Sequence, residues 1–197
     1  MSTEVRFNSA DLALMPDDGK RYEVIEGDLY VSRQPSSEHQ YTCGKLGYFL
    51  EDWNQTTGAG LVLPAPGLVF AEDDDVAPDL IWISKGLYAK AVDPAGHLTL
   101  APELVIEVLS PGKPNEDRDR RAKLKLYSRR GVLEYWIVSW MMQFIEVYRR
   151  EKAQLLLVNT LYAEDTLDSL LLPGFSCQVS HLFFSMTPTR TAGQIDA

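Results

Sequence analysis

The chain has 197 residues, 45% of them hydrophobic, and a formal net charge of −9. This suits one globular domain with a sizeable core and argues against broad electrostatic attraction to nucleic acid, because phosphate binding normally rests on a basic face. No apolar run reaches the roughly 18 to 20 residues a membrane helix needs, and Met1 to Ala10 lacks a signal-like core, so a cytoplasmic protein without membrane contact is expected.

Arg21 to Val31 reads as an N-terminal hairpin, with Tyr22, Val24, Leu29 and Val31 alternating around the turn residues Gly27-Asp28. From Ser37 the spacing predicts a helix up to Gly58, with a Ser37–Gln40 capping box and Leu46, Phe49, Leu50 and Trp53 on one face. Leu61 to Phe70 is a strand with an irregular start at Pro64 and Pro66. Asp79–Ile83 and Glu103–Leu109, each preceded by proline and dense in Leu, Ile and Val, are buried strands at the centre of the sheet. Between them, Ser84 to Leu100 holds one short helix and a loop. Pro111-Gly-Lys-Pro114 starts a loop, and Glu116 to Arg130 is a helix stopped at Gly131. Glu134–Ser139 and Gln143–Arg149 form a strand pair that Leu155–Leu161 extends, giving a mixed sheet. Leu170 to Phe184 docks as a short helix, and residues 186–197 are a tail beyond one domain at 1–185.

The two cysteines, Cys43 and Cys177, give no basis for a disulfide framework or a zinc cluster and read as packing residues. Gly58-Ala-Gly60 lacks the lysine and helix of a phosphate loop, and no Ser, His and Asp arrangement resembles a hydrolase triad. One segment, Arg118 to Arg130, is locally basic and could meet phosphates despite the acidic total.

Two carboxylates carry the chemistry. Asp79 opens one buried strand and Glu107 lies inside the other, and an ionised acid there needs a partner, a cation or a cleft. If the strands are adjacent, Asp79 and Glu107, with a backbone carbonyl such as that of Val108, supply oxygen ligands for Mg²⁺. Lys123, on the following helix with Asp119 four residues before it, could position the attacking water or offset charge. Taken singly, each has an ordinary reading: Pro-Asp pairs are common, Glu107 could pair with a core arginine, and helix lysines usually face solvent.

Their order changes that weighting. Arg21–Leu29, Ser36–His39, Ala77-Pro-Asp-Leu80, Leu104–Pro111, Asp119–Tyr127 and Gly131–Val138 stand in a series that resembles the family of putative restriction endonucleases, formerly of unknown function, within the PD-(D/E)XK nuclease superfamily. The resemblance implies an α/β, restriction-endonuclease-like core with Asp79 and Glu107 as ligands of Mg²⁺, or Mn²⁺ in its place, and Lys123 as the catalytic lysine acting on DNA. The superfamily expects that lysine two residues after the strand glutamate, where this chain has Leu109, so Lys123 must reach the strands from the helix while Lys125 points elsewhere. The resemblance also implies that Glu23 adds an acid to the site and that His39 contacts a phosphate or braces a carboxylate. Their ordinary readings are an exposed hairpin residue and a structural helix terminus, and Tyr127 reads as core packing. Two alternatives stay open: a nucleic-acid-binding or regulatory module with little or no cleavage, and a homodimer built on an edge strand within Glu134–Arg149.

Overall fold

The computed structural model describes residues 5–184, so the tail expected at 186–197 lies outside the described residues. Helix α1 (Ser9–Leu12), capped by Asn8, precedes the expected hairpin, which forms as β1 (Arg21–Ile25) and β2 (Asp28–Ser32). Helix α2 (Ser37–Thr57) ends at Gly58, whose φ of 60° suits a residue without Cβ. Its cap is Ser36, whose hydroxyl accepts the His39 N–H at 3.2 Å. The expected Ser37–Gln40 box is displaced by one residue because Ser37 is already helical.

The stretch from Leu61 to Phe70 is two strands, β3 (Gly60–Pro64) and β4 (Leu68–Ala71), in different sheets. The break falls at Ala65, held at φ 46° between two prolines that cannot donate to a ladder. Strand β5 (Asp74–Val76) joins β1 and β4 in a four-stranded sheet ordered β2-β1-β5-β4.

The main sheet adds β6 (Leu80–Ser84), and after the expected short helix α3 (Lys85–Ala91) it takes β7 (Leu104–Val108), β8 (Glu134–Ser139), β9 (Phe144–Glu151) and β10 (Gln154–Tyr162). Its order is β10-β9-β8-β7-β6-β3, and every pair is antiparallel except β7 with β8. The sheet is therefore mixed, as expected. Parallel neighbours cannot be joined by a hairpin, so the chain leaves the sheet after β7 and returns across one face. That crossover comprises α4 (Lys113–Asp117), a π-helical segment (Arg118–Lys123) and α5 (Leu124–Arg130), in place of the single α-helix predicted over Glu116–Arg130.

The sheet is consequently covered on both faces. Leu104, Ile106 and Val108 pack with Leu46 and Leu50 of α2, whereas Val105 and Leu109 pack with Leu126 and Tyr127 of α5. By the two-residue period of a strand, Glu107 shares the crossover face with Val105. A ribbon of β11 (Thr166–Asp168) and β12 (Ser176–Gln178), followed by a 3₁₀ turn at Val179–Leu182, closes the α2 face where the sequence predicts only a docked helix. Glu134–Arg149 lies inside the sheet rather than at its edge, because β10 is the outer strand on that side.

Gly60 is a packing requirement. A Cβ there would lie 2.4 Å from the Ile83 carbonyl oxygen and 2.6 Å from the Trp82 ring. Both Gly60 backbone groups also bond the Asn54 side chain, at 3.1 Å each. Gly60→Ala is expected to lower the urea midpoint, costing about 1–3 kcal/mol as overpacking.

Candidate active site

Asp79 stands one residue before β6, and the antiparallel register runs Trp82↔Leu104, Ile81↔Val105, Leu80↔Ile106. Continuing that register by one step sets Asp79 opposite Glu107, and residues so opposed have Cβ atoms about 5 Å apart. The Val108 N–H donates to Asp79 Oδ2 at 2.9 Å, tying the two strand ends together. His39, buried in the first turn of α2, places Nε2 3.2 Å from the same oxygen, and Arg21 of β1 places Nη1 3.2 Å from Oδ1. Burial opposes ionisation of Asp79, but His39, Arg21 and Lys123 outweigh it and hold the carboxyl down at about 2.

Glu107 is sealed on the crossover face. Lys123 Nζ lies 2.8 Å from its Oε1 and 2.9 Å from Glu23 Oε1, and the Tyr127 hydroxyl donates to Glu107 Oε1 at 2.8 Å. Glu23 also accepts the Ala77 N–H at 2.9 Å. Lys123 therefore faces inward, and Lys125 points away to Glu26, as expected. The π-helical segment explains how one short stretch buries Arg118, Asp119 and Lys123 together, because an i→i+5 turn is wider than an α-turn and shifts the helix phase. Arg118 clamps Asp119 through Nε and Nη2 at 2.8 and 3.2 Å and sits 3.9 Å from Glu23. Tyr135 donates to the Asp119 carbonyl at 3.1 Å.

The structure thus brings Asp79, Glu107, Val108, Lys123, Glu23, His39 and Asp119 into one neighbourhood. It also adds Arg21, Arg118 and the Tyr127 hydroxyl. Arg21 shares parity with Glu23 on β1, which is a legible signal, whereas Tyr127 is more than the packing residue it looks in sequence. The basic segment is not a free phosphate-binding element. Lys125 and Arg129 pair with Glu26, Arg129 and Arg130 with Asp74, and Arg120 with Glu146, so its charge is largely spent inside the fold. A cationic surface lies instead in a cleft of about 170 Å³ lined by Lys20, Arg21, Arg33, His39 and Asp79, to which the segment contributes only Arg118. Val108 and Ser110 complete its floor.

With all its acids ionised the site carries one more negative charge than its permanent cations balance. Four carboxylates, Glu23, Asp79, Glu107 and Asp119, interact with three permanent cations, Arg21, Arg118 and Lys123. Burial pushes the Glu107 carboxyl above its ordinary range, and although Lys123 draws it down, Asp79, Asp119 and Glu23 raise it further. Both hydrogen bonds to Glu107 end on Oε1, so Oε2 is the oxygen available to a metal. Oxygen donors from adjacent strands are the set that hard divalent ions prefer.

A pH dependence follows. Unfolded Glu107 ionises near 4.5 while the folded chain keeps its proton to higher pH, so its contribution to stability falls as pH rises through that window. Asp79, with its depressed value, contributes stability that is present above 3.8 and lost as pH falls toward 2. Thermal unfolding in chelator is expected to show Tm declining from pH 5 to pH 8, as the unfolding free energy falls by at most about 1.4 kcal/mol per pH unit. Glu107→Gln should flatten that limb, and a slope unchanged in Glu107→Gln would disprove the assignment.

A mixed sheet covered by helices, with a paired Asp and Glu at neighbouring strand ends, defines a fold of the restriction-endonuclease type. Residues 9–180 match the family model Uma2, described as "Putative restriction endonuclease", and the chain belongs to that family. Among solved structures, a putative nuclease of DUF820 from Anabaena variabilis ATCC 29413 superposes with a TM-score of 0.71 at 15% identity, covering 90% of this chain and 97% of that one. The type IIG restriction endonuclease BpuSI gives 0.43 at 13% identity, and the match spans 73% of this chain but 15% of the larger enzyme. No curated protein matches the sequence. Among the described residues, no helix is long and apolar enough to cross a membrane.

Proposed function

We propose that this member of the family is a Mg²⁺-dependent endonuclease that hydrolyses phosphodiester bonds in DNA, with the whole of residues 1–185 acting as one domain. The observation that carries the reading is that Asp79, just ahead of β6, accepts the Val108 N–H of β7 at 2.9 Å beside Glu107, with Lys123 Nζ 2.8 Å from Glu107. Asp79, Glu107 and the Val108 carbonyl would hold the ion, with Mn²⁺ able to replace it. When bound, the ion supplies a water of lowered pKa and polarises the scissile phosphate.

The chain's own groups do the rest. Arg21, Lys20, Arg33 and Arg118 line the cleft and attract the DNA backbone locally, which answers the net charge of −9. Glu23 and Glu107 hold Lys123 in its charged form, so it offsets phosphate charge rather than abstracting a proton. His39 orients Asp79, Tyr127 orients Glu107, and Asp119 fixes Arg118. Cutting both strands of a duplex calls for two sites, and we take the enzyme to act as a cytoplasmic homodimer. The outer strand β10, with Leu156, Leu157 and Tyr162 exposed, supports that assembly.

Supercoiled plasmid incubated with purified protein and Mg²⁺ is expected to be nicked and linearised, and chelation should stop it. Cleavage that continues undiminished in excess chelator would remove the reading. The near-complete burial of Glu107 favours a second reading, a binding module without cleavage. In that case calorimetric titration shows no Mg²⁺ or Mn²⁺ site while DNA still binds.

A further inference from the structure

On the α2 side of Asp79 lies a second donor set, in which Asp79 and His39 recur from the proposed hydrolysis and Cys43 is new. His39 and Cys43 are four residues apart on α2 and share a face, with Cys43 Sγ 3.6 Å from His39 Nδ1. Asp79 Oδ2 is 3.2 Å from the other ring nitrogen. One ligand atom from each of the three lies within 4.8 Å of the other two, and among the described residues this is the one such group of His, Cys, Asp or Glu. In tetrahedral zinc coordination, metal–sulfur distances near 2.3 Å and metal–nitrogen or metal–oxygen distances near 2.1 Å set the ligand atoms roughly 3.4–3.6 Å apart. The Cys43–His39 separation already has that value through Nδ1; Asp79 faces Nε2 instead, so binding one ion requires the imidazole to turn, or Asp79 to leave Nε2, until a single ring nitrogen meets both partners.

The row of thiol, imidazole and carboxylate also invites comparison with a nucleophilic relay. Burial, reinforced by Asp79 and Glu107, pushes the Cys43 thiol up, which disfavours the thiolate that such a relay needs.

We propose that His39, Cys43 and Asp79 form a binding site for a thiophilic divalent cation of the zinc type, with a fourth position open to water from the cleft. Donor chemistry separates it from the hard-ion site. One sulfur, one imidazole and one carboxylate select zinc-like ions, whereas Mg²⁺ takes oxygen ligands and binds thiolate poorly. On binding, the Cys43 S–H bond gives way to a sulfur–metal bond and the proton leaves to solvent. Because Asp79 belongs to both donor sets, zinc occupancy withdraws it from Glu107. This last consequence rests on the proposed nuclease reading and makes zinc an inhibitor of it; the site itself does not rest on that reading.

The test uses Co²⁺ alone as the probe on the full chain in chelator-free buffer. One equivalent is expected to bind with a near-ultraviolet sulfur-to-cobalt charge-transfer band, which Zn²⁺ then bleaches. Cys43→Ser should abolish the band and weaken Zn²⁺ binding by about 100-fold or more, since even a change in an outer partner of a ligand costs 10–100-fold. Cys177→Ser, which removes the second cysteine, should keep both. Absence of the band in the unaltered protein, or its persistence in Cys43→Ser, overturns the site without appeal to any variant's folding. In a separate Mg²⁺ cleavage assay, Zn²⁺ should arrest the unaltered protein and spare Cys43→Ser. Arrest of both forms overturns the sharing of Asp79, while a chain that binds Co²⁺ through Cys43 but never cleaves DNA refutes the nuclease reading alone.

Discussion

Asp79→Asn is expected to remain folded and to lose Mg²⁺-dependent DNA cleavage by about 10³-fold, equivalent to roughly 4 kcal/mol of barrier. The amide oxygen of Asn can still accept the Val108 N–H that now bonds Oδ2 at 2.9 Å, so the link between β6 and β7 survives. What disappears is the negative charge that faces Arg21 and His39 and, in the proposed reading, the divalent ion. The stability cost should be limited to about 1–2 kcal/mol, the worth of charge-assisted hydrogen bonds to a partly exposed arginine. The measurement is cleavage rate against Mg²⁺ concentration, paired with urea unfolding in chelator. Weaker apparent Mg²⁺ affinity together with a lower plateau is the expected pattern. Asp79→Asn that cuts plasmid as well as the unaltered protein would show that Asp79 merely braces the strand ends, and the hydrolytic proposal would lose its first ligand. Glu107→Gln offers the matching comparison from the other strand, with the stability gained at high pH marking removal of the buried charge.

The strand carboxylates were legible because burial makes them anomalous. A Glu within Leu104–Val108, and an Asp just ahead of a run as apolar as Leu80–Ser84, each demand a partner on any folding of the chain. The same apolar density put both strands at the centre of the sheet, but that β6 and β7 are neighbours is seen only in their pairing. Less could be read from the crossover. An α-helical period puts Asp119 and Lys123 on one face but rotates Arg118 about 100° away, and only the π-helical turn brings all three inside. That turn is sustained by tertiary partners, Glu23 from β1 and Glu107 from β7, which lie far away in sequence. The basic segment misled for the same reason, since the acids that neutralise it, Glu26, Asp74 and Glu146, arrive from other elements. Cys43 sits a visible helical turn after His39, yet its meaning depends on where α2 meets the start of β6. The split of Leu61–Phe70 between two sheets was half visible, in that two prolines mark a break but do not say that the halves diverge.

Lys123→Met is expected to be the most damaging single change, lowering stability by about 3–5 kcal/mol, because it leaves two buried carboxylates without their common cation. Methionine fills much of the lysine stem, so the loss is electrostatic rather than a cavity. Glu23 would keep the Ala77 N–H at 2.9 Å and the more distant Arg118, while Glu107 would keep only the Tyr127 hydroxyl. Glu107 is therefore the residue whose charge becomes intolerable. It follows that Lys123→Met combined with Glu107→Gln should recover much of the loss, since a buried pair replaced by neutral groups of similar size is often close to neutral in stability. A double-mutant cycle by urea unfolding in chelator measures this directly, and residues in one ionic network are expected to couple by about 1–3 kcal/mol. A Lys123→Met cost below about 1 kcal/mol, or strict additivity with Glu107→Gln, would mean that the 2.8 Å contact carries little of the energy. The double variant also separates structure from chemistry. Restored to a stable fold yet stripped of both charges, it should still fail to cleave DNA with Mg²⁺, so inactivity in that variant cannot be blamed on unfolding. Cleavage by the folded double variant at the unaltered rate would show that Lys123 and Glu107 hold the crossover to the sheet and do nothing more.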